Sequence, residues 1–173
     1  MEKKRDLVIV NNEKIYNGED GFYCKNLDLK FLPEELSAQF KVNFIARQSR
    51  VKGGQKTKLL NINIASNILS FLIFIYKSFK KKPKFLVISI TPYTFFACIF
   101  LYIFRKKIYL YLRSDGYEEC KHILGGWSLW IFHLMFVICN FVSEVIVCNK
   151  RISKKGHLIS ISRLNSTWFQ NTK

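Results

Sequence analysis

Residues Arg113 to Glu119 (Arg-Ser-Asp-Gly-Tyr-Glu-Glu) hold the sharpest concentration of chemistry in the chain. The apolar run Ile108 to Leu112 ends abruptly there, in one cation and three carboxylates around a glycine. Asp115, positioned by Arg113, is the candidate catalytic group: its carboxylate would accept a proton or a hydrogen bond from a substrate hydroxyl. The same residues also spell a helix start, with Ser114 or Asp115 as the cap and Glu118 and Glu119 complementing the dipole in the first turn. The two roles are compatible. Arg113, Ser114 and Glu118 therefore join Asp115 as candidate substrate-binding residues.

Three more polar turns follow strand-like runs. Asn12 to Gly21 carries Gly18 and Gly21, which let the backbone turn sharply and approach a ligand. The third glycine of the dinucleotide fingerprint is missing, so no NAD site is expected. A second turn, Arg47 to Gly54, opens a polar loop that continues to Lys58 and carries Arg50, Lys52 and Lys56, with Arg47 at its substrate-facing start. Thr91-Pro92-Tyr93-Thr94 is another, and Thr91 is its candidate binding residue. Of the histidines, His133 lies on an apolar helix and is expected to pack against its neighbours. His122 and His157 have no Cys or His partner at ligand spacing, so neither a metal nor a cofactor is expected.

These turns need a scaffold that gathers them, and the hydrophobic pattern supplies one. Leu7 to Val10 is a compact β-branched run of the kind that forms a buried first strand. A helical stretch follows Gly21 and runs to about Phe40, broken or restarted at Pro33. Strands are expected at Lys41 to Ala46, Lys84 to Ile90, Ile108 to Leu112, Glu144 to Cys148 and His157 to Ile161. Helices are expected at Ala65 to Phe79, Tyr93 to Phe104, Tyr117 to Phe141 with an interruption near Gly125-Gly126, and Arg163 to Phe169. Strands alternating with helices predict an α/β fold: a single Rossmann-like domain with a parallel sheet covered on both faces. In such sheets ligands bind beyond the carboxyl ends of the strands, where all four turns fall.

Composition narrows the partners. The chain has 173 residues, the size of one ordinary domain, and its 28 Lys and Arg against 12 acids give a formal charge of +16. That surplus points to nucleic acid, an anionic membrane or a phosphate-bearing small molecule. Its 16 Phe cluster in apolar stretches instead of alternating with basic residues, which ranks membrane above nucleic acid. Ile68 to Tyr76 and Phe95 to Phe104 are too short to span a bilayer, and Trp127 to Val147 is interrupted by Asn140, Ser143 and Glu144. Basic clusters at helix ends beside aromatics instead suit association with an anionic leaflet. The five cysteines include no C-x-x-C pair, and the N-terminus has no signal-peptide order, so reduced thiols and a cytoplasmic location at the inner face of the membrane are expected.

The order of pieces is itself recognisable: a first strand, a glycine-bearing loop, then FYCKNLDLKFLPEELSAQFKVNFIAR, LVISITPYTFFACIFLYIFRKKIYLYLRSDGYEE and GHLISISRLNSTWF. It resembles the N-terminal domain of bacterial group-one, glycogen-synthase-like glycosyltransferases with the two-domain B-type fold, which build cell-envelope glycans. The likeness rests on element order and strand-end turns more than on an invariant motif. It implies that residues 1–173 form the acceptor-side half of an enzyme that moves a sugar from a nucleotide-sugar to a glycan or lipid-linked acceptor. The donor-binding half, with the family's paired glutamates, is expected to be absent from these residues, leaving them inactive alone. A histidine-containing turn is common in the family where this chain has Arg-Ser-Asp-Gly, so the role carried over falls on Asp115. Gly18 and Gly21 match the family's first loop near the acceptor. The rival reading is a non-catalytic, membrane-associated protein whose basic and aromatic surface anchors a partner.

Overall fold

Strands whose two faces are both covered are apolar throughout, and the first strand shows it: Leu7, Val8, Ile9 and Val10 are all buried. The computed structural model describes residues 4–153 and 155–159. In chain order the elements are β1 (Arg5–Gly18), β2 (Gly21–Cys24), α1 (Leu27–Gln39), β3 (Phe40–Gln48), β4 (Gln55–Lys56), β5 (Ile62–Ala65) and α2 (Ile68–Ser78). They continue with β6 (Lys84–Ile88), α3 (Pro92–Ile103), β7 (Ile108–Leu112), α4 (Gly116–Leu124), α5 (Leu129–Val142), β8 (Glu144–Val147) and β9 (His157–Leu158).

The strands form one nine-stranded sheet. Seven of them run parallel in the order β5-β3-β1-β6-β7-β8-β9. The chain is thus α/β with a mostly parallel sheet, an arrangement consistent with a Rossmann-like fold. The sheet is mixed, however, which corrects the all-parallel expectation. β1 does not stop at Val10: it continues to Gly18, folds back through Glu19 and Asp20, and pairs antiparallel with β2, which pairs antiparallel with β4. A second correction is at Ala65, expected to begin a helix but found as the last residue of β5, an edge strand beside β3 that the sequence reading left unassigned. The Ile-Asn-Ile-Ala run is only four residues long and interrupted by Asn63, too brief a pattern to stand out. Pro33 neither breaks nor restarts α1, which is continuous around it, and the helix begins only at Leu27 because Gly21–Cys24 is a strand. Ile161 and the stretch Arg163 to Phe169 lie outside the described residues.

Chain direction decides which face each helix covers. From β1 the chain steps one way across the sheet to β3; from β5 it returns and steps the other way through β6, β7 and β8. With crossovers of one hand, α1 must lie on one face and α2, α3 and α5 on the other. The two cores match. Leu32 and Leu36 of α1 pack with Ile9, Phe44 and Ile88. Phe71, Leu101 and Cys139 of the other three helices pack with Val10, Phe85 and Leu110.

Capping fixes where the helices begin. Asn67 and Thr91 each form a reciprocal capping box with the residue three positions on, Ser70 and Thr94. Gly116 opens α4 because Phe132 of α5 lies against it: a Cβ there would press into the ring, its Cε2 only 2.8 Å away. The helix pair α4 and α5 thus packs over the end of β7.

The inner and outer faces of α2 should respond to truncation very differently. Phe71→Ala, which empties a fully buried site, is expected to cost about 3–5 kcal/mol of unfolding free energy. Ile73→Ala, on the outer side, should cost within about 0.5 kcal/mol, both read from urea unfolding midpoints. Equal costs at the two positions would contradict this packing.

Candidate functional site

The strand order reverses between β1 and β6, since β1 leads outward to β3 on one side while β6 leads to β7 on the other. Open α/β sheets hold ligands in the crevice beyond the carboxyl ends at such a reversal. Here that crevice is bounded by Asn11 to Glu13 of β1 and by Ser89 to Tyr93 after β6.

β1 loses its regular pairing with β3 between Val10 and Lys14. Such an irregularity re-aims side chains, and it is where sheets commonly carry functional residues. The Asn11 side chain accepts from the Glu13 backbone N–H at 3.1 Å and holds the local bend. Its Nδ2 is buried without a hydrogen-bond partner among the described residues, a group whose desolvation they leave uncompensated. Glu13 is half-buried. Burial pushes its carboxyl above the ordinary value of 4.5, while the Lys14 backbone N–H and the charges of Arg113 and Lys14 pull the other way. Sequence reasoning passed over Glu13 because it assigned Asn12 to Gly21 to a loop. A polar Asn-Asn-Glu following a buried run, at a predicted strand end, was the available signal.

Arg113 is the arginine whose charge acts on this carboxyl, and a second arginine, Arg47, stands on the adjacent strand. Arg47 belongs to β3, not to the loop expected there. Its guanidinium donates to Asn12 Oδ1 at 3.2 Å and lies 4.2 Å from the Tyr93 ring centroid, so it bridges β1 and the first turn of α3 across the reversal. Arg113 donates to Asn26 Oδ1 at 3.3 Å, and its backbone carbonyl accepts from the Cys148 thiol at 2.8 Å. Arg113 is thereby tied to the chain just after β2, which places the end of the β-ribbon over the carboxyl edge.

Ser89 has φ of +61°, left-handed backbone in a residue that is not glycine. Its N–H donates to Tyr111 O, and its carbonyl accepts from Thr94 Oγ1 at 2.9 Å, contacts that hold the conformation. Strain of this kind costs on the order of 1–3 kcal/mol and clusters at ligand sites. Thr91 itself is engaged as the α3 cap: its hydroxyl accepts from the Thr94 N–H at 3.3 Å.

Asp115 is the cap of α4, accepting from the Tyr117 N–H at 2.9 Å, and it is exposed. Ser114 sits beside it, half-buried. Arg113, Ser114, Asp115, Glu119 and Ser89 line a cavity of about 20 Å³, room for one water and not for a sugar. Glu118, the predicted binding residue, is exposed and does not line that cavity. Tyr117 is drawn above its ordinary pKa of 10 by burial first and by the Asp115 charge second. Its hydroxyl lies 2.8 Å from Nδ1 of His133, which is exposed and not packed away as expected from the sequence.

The fold therefore gathers Arg47, Thr91, Arg113, Ser114 and Asp115 on one edge and adds Glu13. Gly18 and Gly21 do not join them. They close the tip of the β1–β2 hairpin, where Gly21 takes φ of +142° and neighbours Lys56, and where Tyr23 and Tyr16 lie against Gly18. Their role in the structure is the reversal of the ribbon. Among the described residues no cluster of His, Cys, Asp and Glu could hold a metal ion.

What the site defines is a class: an open-sheet α/β protein with a carboxyl group and two guanidinium groups at its topological reversal. Comparison with protein-family profiles, with curated proteins and with solved structures finds no match for the chain.

The raised pKa of Glu13 makes a testable statement about stability. Its protonated form is favoured in the folded protein, so that contribution is complete below pH 4.5 and is lost as pH rises through the elevated folded value. Glu13→Gln should remove this component: the stability of the parent relative to the variant falls as pH rises above 4.5 and then levels off. Denaturant midpoints measured from pH 4 to 8 would check it, and parallel curves would contradict the assignment.

Proposed function

We propose that this chain forms a single Rossmann-like domain and acts as the acceptor-side half of a two-domain glycosyltransferase. In this reading a nucleotide-sugar, held by a second Rossmann-like lobe, faces the carboxyl edge of the sheet and donates its sugar to a glycan or lipid-linked acceptor at the inner membrane face. One observation carries the reading: a half-buried carboxyl of raised pKa, Glu13, stands at the strand-order reversal near Arg113, on the same edge as the Arg47 that bonds to Asn12.

Each part has a chemical task. Sugar transfer requires a base to take the proton of the attacking acceptor hydroxyl, and a carboxyl whose pKa is drawn upward by burial does so better than a solvated one. Glu13 fills that role. Asp115, on the neighbouring turn, takes hydrogen bonds from adjacent acceptor hydroxyls while capping α4. Arg47, Arg113 and the N-terminus of α3 make the mouth electropositive, which suits the phosphates of a lipid-linked acceptor or of the departing nucleotide. An open edge with a cavity sized for one water fits a site that is completed when a second lobe closes on it.

Equilibrium binding separates this reading from its rivals. The described domain should bind a sugar phosphate carried on a lipid more tightly than a free nucleotide-sugar, and Arg47→Ala should weaken that binding by about tenfold. In the assembly that contains the donor lobe, Glu13→Gln should lower kcat by about a hundredfold or more with acceptor affinity retained. Undiminished transfer in both Glu13→Gln and Asp115→Asn would sink the reading.

A further inference from the structure

The outer surface of the helical layer is built for something other than water. In α2, α3 and α5 the only Lys, Arg, Asp or Glu is Lys77. A crossover helix ordinarily buries one apolar stripe and presents charge on the other side. These three present apolar residues on both. On α2 the exposed positions Leu69, Ile73 and Tyr76 recur at helical spacing. On α5 Trp130, Leu134, Val137 and Phe141 run the length of the helix, with Phe141 81% exposed. α3 lies between them, touching both, and exposes Phe96 and Ile103. The stripes are therefore neighbours on one face of the molecule, the face opposite α1.

Cations collect at one end of this face. Helices that cross over a parallel sheet end at its amino edge, and there the chain places Lys77 in the last turn of α2, Lys80 and Lys82 after it, and Arg105, Lys106 and Lys107 after α3. The Lys106 ammonium lies over the Phe79 ring, 4.7 Å from its centroid, so this half-buried cation is held against the aromatic cluster at the end of α2. Beneath the end of α2 a groove of about 600 Å³ opens on the same edge. Lys41, Lys77 and Lys80 line it against a single carboxylate, Asp6. At the two ends of the layer stand aromatic residues with polar tips, Trp127 and Trp130 at one and Tyr76 and Tyr102 at the other.

We propose that this helical face docks on an anionic lipid bilayer, with α2, α3 and α5 lying in the interface and the basic amino edge of the sheet meeting the headgroups. No described helix is long and apolar enough to cross a membrane, so the contact is one of lying on the surface. Two observations favour lipid over the other possible occupants. A second copy of the chain would bring a second formal charge of +16 against the first. A protein partner would seek hydrogen bonds across the interface, and these stripes offer almost none, whereas acyl chains need none. The proposal does not rest on the sugar-transfer reading, because vesicle binding is measured without any sugar.

The test is flotation of the whole chain with vesicles of phosphatidylcholine alone and with added phosphatidylglycerol. Binding should require the anionic lipid and weaken as salt rises. Ile73→Glu with Leu134→Glu should lower the partition coefficient by at least about tenfold, as should Lys80→Glu with Lys106→Glu. Ile73, Leu134, Lys80 and Lys106 lie outside the core, and an unchanged circular dichroism spectrum would show that the variants fold. In a variant whose other tryptophans are Phe, brominated acyl chains should quench Trp130. Vesicle binding that ignores the Ile73 and Leu134 changes, or an unquenched Trp130, would overturn the proposal. So would a concentration-dependent dimer that the same pair of changes abolishes, which would make a second copy the occupant.

Discussion

Strand β1 is the constraint on which the rest depends. Its first half is hydrogen-bonded on both sides, to β3 and to β6, and its buried Leu-Val-Ile-Val run contributes to both cores. Being central and parallel, it forces the chain to leave in one direction and return in the other, which puts α1 on one face and α2, α3 and α5 on the opposite one. The crevice at the carboxyl edge is a by-product of that reversal. Had the chain stepped in one direction only, the turns after β1 and β6 would not bound a common opening.

The second half of β1 departs from this plan, and the site follows from the departure. At Asn11 to Glu13 the pairing with β3 slips, and beyond it the strand serves an antiparallel ribbon that returns over the edge. Asn26, at the end of that ribbon, receives the Arg113 guanidinium, so the ribbon and the β7–α4 turn are held in one arrangement. Glu13 is half-buried because the ribbon passes beside it. Its elevated pKa is thus a consequence of local backbone irregularity plus coverage, tempered by the nearby cations.

The molecule is chemically divided by the sheet's two ends and two faces. The carboxyl edge carries the strained Ser89, the Asn11 amide, unpaired among the described residues, and the guanidinium groups of Arg47 and Arg113. The amino edge carries the lysine and arginine clusters and the open groove. One face is sealed by α1 on the β1 and β3 side, while the other is covered by helices that keep apolar residues outward.

Much of this was written in the sequence. Runs such as Leu7 to Val10, Phe85 to Ile88 and Ile108 to Leu112 are apolar on both faces, and only a strand buried on both faces calls for that pattern. Asp115 announced its helix because a short polar side chain satisfies free N–H groups where a helix starts, whereas Thr91, read from the sequence as a binding residue, proved to cap α3 by the same rule. Local rules of this kind act within a few residues and so are legible locally. Tertiary structure alone decided the remainder. The extension of β1 to Gly18, the edge strand β5 and the tying of Arg113 to Asn26 depend on pairings between residues far apart in the chain. Glu13 is a surface glutamate by every local criterion, and it became a perturbed carboxyl only when β7 and the ribbon closed around it. Gly18 and Gly21, conspicuous in the sequence, proved to serve a hairpin tip, because glycine's freedom is equally useful to a turn and to a ligand and the sequence does not distinguish the two.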